Sequence, residues 1–307
     1  MEIRQLRYFV HVVRSGSMGR AAIELNVVTS ALSQQISRLE SELSVRLLKR
    51  SKNGVQPTSA GLALWHKAQL ILRMTDDAAR AAQSGRLSGE AAVGLAPSTS
   101  GVLALPFLHE MKSRYPEIAV RIIENLSGNL ESLLSSRQID VAIIFGAAKS
   151  KRVQTVPLFI EQLYSISAHV LPAPADPRGY DISELAAFRL ILPSSPHGLR
   201  SLVNAAFARD GRVANVEAEI DGLGTLMQAV SGGMGVTIQP AAALERCNGA
   251  TLHTVPILAA TLSRTNFVGS LADDELTPSG LAARLVLAEV ALKLIRERRW
   301  AGVTALT

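Results

Sequence analysis

"TSALSQQISRLESELSVRLLKRSKNGVQPTSAG", residues 29–61, carries the reading that decides the fold. Leu32, Ile36, Leu39 and Leu43 recur at steps of four, three and four, the seam of a helix running to about Ser41. Ser30, Ser33, Gln34, Ser37 and Arg38 lie on the opposite side, a stripe of hydroxyl, amide and guanidinium groups with no acid among them. Gln suits adenine, Arg suits guanine and Ser suits either base, whereas an acid there would repel phosphates. An ordinary solvated helix face has the same composition, so the stripe alone does not decide. "RLLKRSKNGVQPT" then reads as a hairpin turning at Lys52-Asn53-Gly54, with Arg46, Lys49, Arg50 and Lys52 crowding its wing. A polar helix face followed by a cationic hairpin is what a winged helix-turn-helix needs: one helix for a major groove, one loop for the phosphates beside it.

The flanks agree. Upstream, Leu6, Phe9, Val10 and Val13 form one helix face, "SGS" at 15–17 breaks it, and Met18–Leu25 forms a second helix. Ala21 and Ala22 there leave room for another helix, and "NVVT" at 26–29 is the turn into the stripe-bearing helix. Downstream, Thr58 is a good N-cap for a helix reaching about Gln83. In that helix Leu62, Trp65, Ala68, Leu72, Thr75, Ala79 and Ala82 keep near-heptad spacing, which suits a dimer seam led by Leu62, Trp65 and Leu72. Packing on its own domain is the alternative. "SGRLSGE" at 84–90 reads as a hinge.

Charge separates this quarter from the rest. Residues 1–87 hold 13 Lys and Arg against 6 Asp and Glu, while residues 88–307 hold 19 against 20. The whole +6 excess therefore lies on the N-terminal part, which points to a polyanionic partner for that part alone. One cysteine, Cys247, permits no internal disulfide, and no Cys/His cluster has zinc spacing, so neither a metal nor a cofactor is expected. The start "MEIRQLRYFV" does not read as a signal peptide, and no stretch reaches the roughly 18 uninterrupted apolar residues of a membrane span. A protein of the reducing cytoplasm, without membrane partners, is expected.

From Ala91 short apolar runs alternate with amphipathic segments. Strands are expected at "AAVGLA", "IAVRII", "DVAIIF", "RLILP", "NVEAEI" and "GVTIQP". Helices are expected over Val102–Tyr115, Asn129–Ser136, Ile182–Phe188, Leu199–Asp210 and Leu223–Ser231, with a last one starting at Pro278 behind Thr277. Alternation implies mostly parallel sheets with helices on both faces. Two such blocks suggest two subdomains around a cleft, the chain crossing near 166 and returning near 265. Ligands in such folds sit where strand ends meet helix starts. "APSTSG" at 96–101 is such a junction, and Ser98 and Thr99 are candidates to bind a carboxylate, although one of its hydroxyls is expected simply to cap the helix. Ser127, Gly128, Phe145, His197 and Arg200 are the candidates facing them, Arg200 being the obvious cation and a structural salt bridge its alternative.

An enzyme is not expected. There is no GxSxG and no GxxxxGK, His109-Glu110 lacks the second histidine of a zinc helix, and "SGGMG" at 231–235 lies between a helix and a strand, the wrong order for a dinucleotide loop.

The stretch from Leu6 to Gly61 resembles the N-terminal domain of the LysR-type bacterial transcriptional regulators, and "VGLAPSTS", "QIDVAIIF", "LILPSSPHGLR" and "GGMGVTIQP" extend the resemblance over essentially the whole chain. "PTSAG" and the phrase around "HGLR" look closest to the branch of the nitrogen assimilation control protein. The resemblance implies an α/β chain in three parts: a winged helix-turn-helix domain over 1–58, a linker and dimerisation helix with its hinge over 59–88, and a periplasmic-binding-protein-like effector domain over 89–307. Subdomain I of the last would take about 89–165 and 266–307, and subdomain II about 166–265. It implies as partners double-stranded promoter DNA, a small-molecule effector, further copies of the chain as a homodimer or homotetramer, and RNA polymerase. Thr29, Ser30, Ser33, Gln34, Ser37, Arg38, Arg50 and Lys52 would touch DNA. A regulator whose C-terminal part serves assembly alone remains the second reading. The chain departs from the family at Val28, Thr29 and Ser30, where members usually show Ser, Gln and Pro; Thr29 is then expected to take over the helix cap.

Overall fold

The computed structural model describes residues 1–51, 54–84, 87–195, 197–247, 251–258 and 262–306, without the side chains at 50, 51, 77 and 80–84. The chain forms two compact units: Met1–Gly89 with Asp274–Thr277, and Glu90–Asp273 with Pro278–Thr307.

The first unit contains α1 (Ile3–Ser15), α2 (Met18–Glu24), α3 (Thr29–Glu42), β1 (Leu48–Ser51), β2 (Gly54–Pro57) and α4 (Ser59–Ser84). Gly16, in the left-handed region at φ +63°, ends α1, and the Ser17 hydroxyl accepts from the Arg20 amide to start α2. Ala21 and Ala22 are buried, as close helix approach requires. Leu32, Ile36 and Leu39 of α3 are fully buried, each contributing roughly 1.5–3 kcal/mol. Leu43, expected to continue that seam, is 38% exposed, because α3 stops at Glu42 and Leu43 is its C-cap. Thr29 does not cap α3. It is the first helical residue, and the N-cap is Val28, which has no side-chain acceptor to offer.

The wing is held to α3 by a buried carboxylate. Glu40 accepts from the amides of Leu47 at 2.7 Å and Leu48 at 3.0 Å, and from Arg46 Nη1 at 3.2 Å. β1 and β2 then pair antiparallel from Leu48↔Pro57 to Ser51↔Gly54. Two glycines allow the backbones to meet. Gly54 has φ +117°, and a Cβ there would stand 2.5 Å from the Gly16 carbonyl oxygen; at Gly61 a Cβ would stand 2.0 Å from that of Leu47. Thr58 caps α4 as expected, its hydroxyl accepting from Gly61 N at 2.9 Å while donating to Arg46 O.

The second unit alternates strand and helix, then crosses over and returns. It runs β3 (Gly89–Leu95), α5 (Pro97–Arg114), β4 (Ile118–Glu124), α6 (Ser127–Ser135), β5 (Val141–Phe145) and the long β6 (Gln154–Ser167). It continues with α7 (Ile182–Leu185), β7 (Leu190–Leu192), α8 (Gly198–Arg209), β8 (Val216–Glu219), α9 (Leu223–Ser231), β9 (Thr237–Pro240), β10 (His253–Pro256), β11 (Ser263–Ser270), α10 (Pro278–Arg296) and β12 (Val303–Ala305). The main sheet has the order β10-β6-β11-β5-β3-β4, with β9 and β12 also paired to β6. β3 lies parallel to β5 and β7 to β8, as the alternation predicts. The expectation of a mostly parallel sheet fails at the crossing strands: β11 is antiparallel to both β5 and β6, and β9, β10 and β12 are antiparallel to β6. A strand that leaves and a strand that returns must run in opposite senses, and periodicity does not report that.

Among the described residues two larger apolar clusters and a smaller third lie on these strands. The first gathers Val93, Leu103, Phe107, Val141 and Leu287; the second gathers Leu163, Leu190, Val203, Phe207 and Ile238; the third gathers Ile166, Ile191, Leu226, Met227 and Val230. Among the described residues no helix is long and apolar enough to cross a membrane.

Candidate nucleic-acid interface and ligand cleft

On α3, Thr29, Ser30, Gln34, Ser37 and Arg38 are exposed and Ser33 is half-buried, with Ser30, Gln34, Ser37 and Arg38 on the face away from the buried Leu32–Ile36–Leu39 seam. On the wing, Arg46 and Lys49 are exposed. Lys52 and the side chain of Arg50 lie outside the described residues. On α4, Leu62 is 45% exposed and Leu72 half-buried, while Trp65 packs with Ala60 and Leu64 against the α1–α3 core and Ala68 is fully buried. Trp65 and Ala68 of the near-heptad seam are thus occupied within the N-terminal unit, while Leu62, Thr75 and Ala79 are exposed and Leu62 is the large apolar one among them.

In the second unit four helix starts converge on one small cavity of about 40 Å³. α5 supplies Pro97 and Ser98, and α6 supplies Ser127 with its N-cap Leu126; α8 contributes Leu199 with its N-cap His197, and α9 contributes Leu223 with Asp221 two residues before it. α5, α6 and α9 have no side-chain cap, so their first-turn amides keep donor capacity. Helix starts carry partial positive charge.

α5 begins earlier than expected, at Pro97, and Arg246 donates to the Pro97 carbonyl at 3.0 Å to fix that start. Ser98, Thr99 and Ser100 therefore form its buried first turn, and Ala96, not one of these hydroxyls, is the N-cap. Ser98 Oγ accepts from Arg264 Nη2 at 3.1 Å. Thr99 is fully buried and its hydroxyl has no partner. Ser127 Oγ accepts from the Phe145 amide at 2.8 Å, tying the end of β5 to the start of α6.

Arg264 provides the cationic side chain of the cavity wall. It is 8% exposed, donates from Nε to Glu161 Oε2 at 2.8 Å, and lies over the Phe145 ring with Cζ 3.6 Å from the centroid. Glu161 is fully buried and its other oxygen, Oε1, has no partner. Arg264 and Glu161 are directly opposed in the β11–β6 register, so the pair belongs to the two crossing strands. His197 Nδ1 accepts from the Leu199 amide at 3.1 Å, which puts the proton of the neutral ring on Nε2. Burial, and next the charge of Arg264, push the His197 pKa down, against an opposing pull from Asp221. Asp221 accepts from the Ser194 amide at 2.8 Å and from the Ser194 hydroxyl, and these bonds, the backbone one first, hold its carboxyl below the usual range.

Two family descriptions match the chain: the LysR substrate binding domain over residues 84–292, and the bacterial regulatory helix-turn-helix protein, lysR family, over residues 3–62. The chain belongs to the LysR family of bacterial transcriptional regulators. It is 32% identical to the nitrogen assimilation regulatory protein nac of Escherichia coli, over 98% of this chain and 99% of that protein. Its fold is similar to that of a full-length OxyR variant from Pseudomonas aeruginosa, at a TM-score of 0.71 and 26% identity, covering 94% of each chain. It is also similar in fold to CbnR in complex with its target DNA, at a TM-score of 0.62 and 21% identity, covering 94% of this chain and 99% of the other. The family is one of regulators rather than enzymes, in line with the missing catalytic signatures.

In this LysR regulator the structure brings Ser98, Ser127, Phe145 and His197 into one cavity wall. Thr99, buried in the first turn of α5, and Gly128, which follows Ser127, do not line it. Arg200 is not the cavity's cation: its guanidinium donates to Glu219 Oε1 at 2.7 Å, to Pro193 O at 3.1 Å and to Asn204 Oδ1 at 3.0 Å, so the structural salt bridge is what forms. Arg264, Glu161, Asp221 and Gln239 were not legible as site residues. The one local signal was an Arg in "SRTNFVGS" and a Glu in "QTVPLFIEQLYSIS", and only the register shows that they pair.

Proposed function

We propose that this LysR regulator binds double-stranded promoter DNA as a homodimer or homotetramer and senses a small metabolite with an anionic group in the cavity of its second unit. α3 would enter the major groove with Ser30, Ser33, Gln34, Ser37 and Arg38, and the wing would hold phosphates through Arg50 and Lys52. The observation that carries the sensor reading is the convergence of four helix starts and a buried arginine on one cavity. A ligand touching α5 and α6 on one side and α8 and α9 on the other favours whichever arrangement it contacts better, and so biases the oligomer on DNA and its dealings with RNA polymerase. The name of the nac relative makes nitrogen assimilation the first set of genes to examine. A second reading, assembly without any effector, is favoured by one fact: Glu161 already neutralises Arg264.

The test maps bound sites genome-wide for the parent, Gln34→Ala and Ser98→Ala, together with reporter output from the strongest promoter. Gln34→Ala should lose the specific peaks, at roughly 1–3 kcal/mol of site discrimination. Ser98→Ala should keep the peaks and lose the conditional response. A Ser98→Ala reporter that still follows the growth condition would favour assembly alone.

A further inference from the structure

We infer that the ligand of this cavity is a small zwitterion of the α-amino-acid class, its carboxylate at the α5–α6 end beside Ser98 and its ammonium at Asp221. The inference rests on the reading of the cavity as a ligand site. The side-chain charges around it are Arg264, compensated by the buried Glu161, and Asp221 at the mouth beside the start of α9. The ionised side chains alone therefore sum to one negative charge, while the four helix starts are positive poles. A dianion would meet Asp221 and the Glu161 charge behind Arg264. A plain amine would meet the helix starts and Arg264. A zwitterion satisfies both ends.

Two details give this dipole a direction. His197 lines the same cavity as Arg264 and Asp221, and burial, then the charge of Arg264, favour its neutral ring against the opposing pull of Asp221. Ser194 clamps Asp221 through its amide and its hydroxyl, which orients the carboxylate and leaves lone pairs for a cationic donor. The polar wall at the other end keeps donors to give. Ser98 accepts from Arg264 and retains its own proton, and the first-turn amides of α5 and α6 have no side-chain cap. The volume, about 40 Å³ where one water needs roughly 10–15 Å³, suits a small occupant such as an amino acid with a short side chain. Leu199, Leu223 and Leu226 would cover that side chain.

The test is titration calorimetry on the full-length chain with the twenty protein L-amino acids, and with propionate, ethylamine and succinate as probes lacking one pole or doubling the other. One or more short amino acids should bind, with propionate, ethylamine and succinate at least tenfold weaker. Asp221→Asn should weaken the amino acid at least tenfold and leave propionate unchanged. Ser98→Ala should weaken both. Ser194→Ala, which loosens Asp221 without removing it, should give an intermediate loss and guards against a folding defect in the first variant. Propionate or succinate binding as tightly as any amino acid, with Asp221→Asn indifferent, overturns the zwitterion and leaves the anion sensor standing. Silence from every probe overturns the zwitterion together with the sensor reading.

Discussion

Replacing Glu40 by alanine tests whether one buried carboxylate sets the wing on the recognition helix. Glu40 is 7% exposed and takes two amides, those of Leu47 and Leu48, which are themselves buried. Its third partner, Arg46, has a side chain 85% exposed, so that ion pair contributes little. Alanine strands two buried N–H groups at about 1–3 kcal/mol each, a local cost of about 2–6 kcal/mol. Glutamine keeps an acceptor for both amides and loses only the charge assistance, about 1 kcal/mol. Because the chain has two units, a single melting curve does not report this locally. Amide hydrogen exchange on the full chain does. Protection at Leu47, Leu48 and along the β1–β2 ladder should fall by about thirtyfold to about twenty-thousandfold in Glu40→Ala, at about tenfold per 1.4 kcal/mol, and by about fivefold in Glu40→Gln. DNA of any sequence should then bind the alanine variant less tightly, since α3 and the wing lose their common frame. Unchanged exchange in Glu40→Ala, or an equal loss in both variants, would refute the reasoning.

Three further outcomes are expected. Val28→Ser supplies the side-chain cap that α3 lacks and should stabilise that helix by about 0.5–2 kcal/mol, read as slower exchange of its first-turn amides; no slowing would mean that the cap geometry is wrong. Leu62→Glu alters a residue exposed within one chain, so the fold should survive while an interhelical seam would bury an unpaired charge; light scattering should then show a smaller assembly, and an unchanged mass would remove Leu62 from the interface. His197 is held below its ordinary pKa by burial and then by Arg264, so its contribution is complete above about pH 6.5 and is lost as pH falls from there through the lowered folded value. His197→Asn keeps a cap for Leu199 without titrating, and the urea midpoint of the second unit, read from Trp300 fluorescence in a Trp65→Phe background, should therefore fall less than the parent's between pH 7.5 and 5.5; equal slopes would show that His197 does not drive the loss.

Much of this molecule was written in short-range pattern. Leu32, Ile36 and Leu39 recur within two turns of helix, Thr58 caps the helix that follows it, and the basic hairpin turns within a few residues. Each of these is settled by neighbours in sequence, so the winged helix-turn-helix could be read directly. The same locality marked Ser98, Ser127, Phe145 and His197 as strand-to-helix positions, and topology then gathers such positions at one cleft. It failed at the details of caps, where Ala96 and Val28 stand where a hydroxyl was expected, because Pro97 and tertiary contacts such as Arg246 to the Pro97 carbonyl set the starting residue. It failed again at the cation. Arg200 faces Glu219 because β7 and β8 pair beside α8, and Arg264 faces Glu161 because two strands about a hundred residues apart run antiparallel in one register. Periodicity says which face a residue takes; which charge it meets across that face is fixed only when the strands are laid side by side.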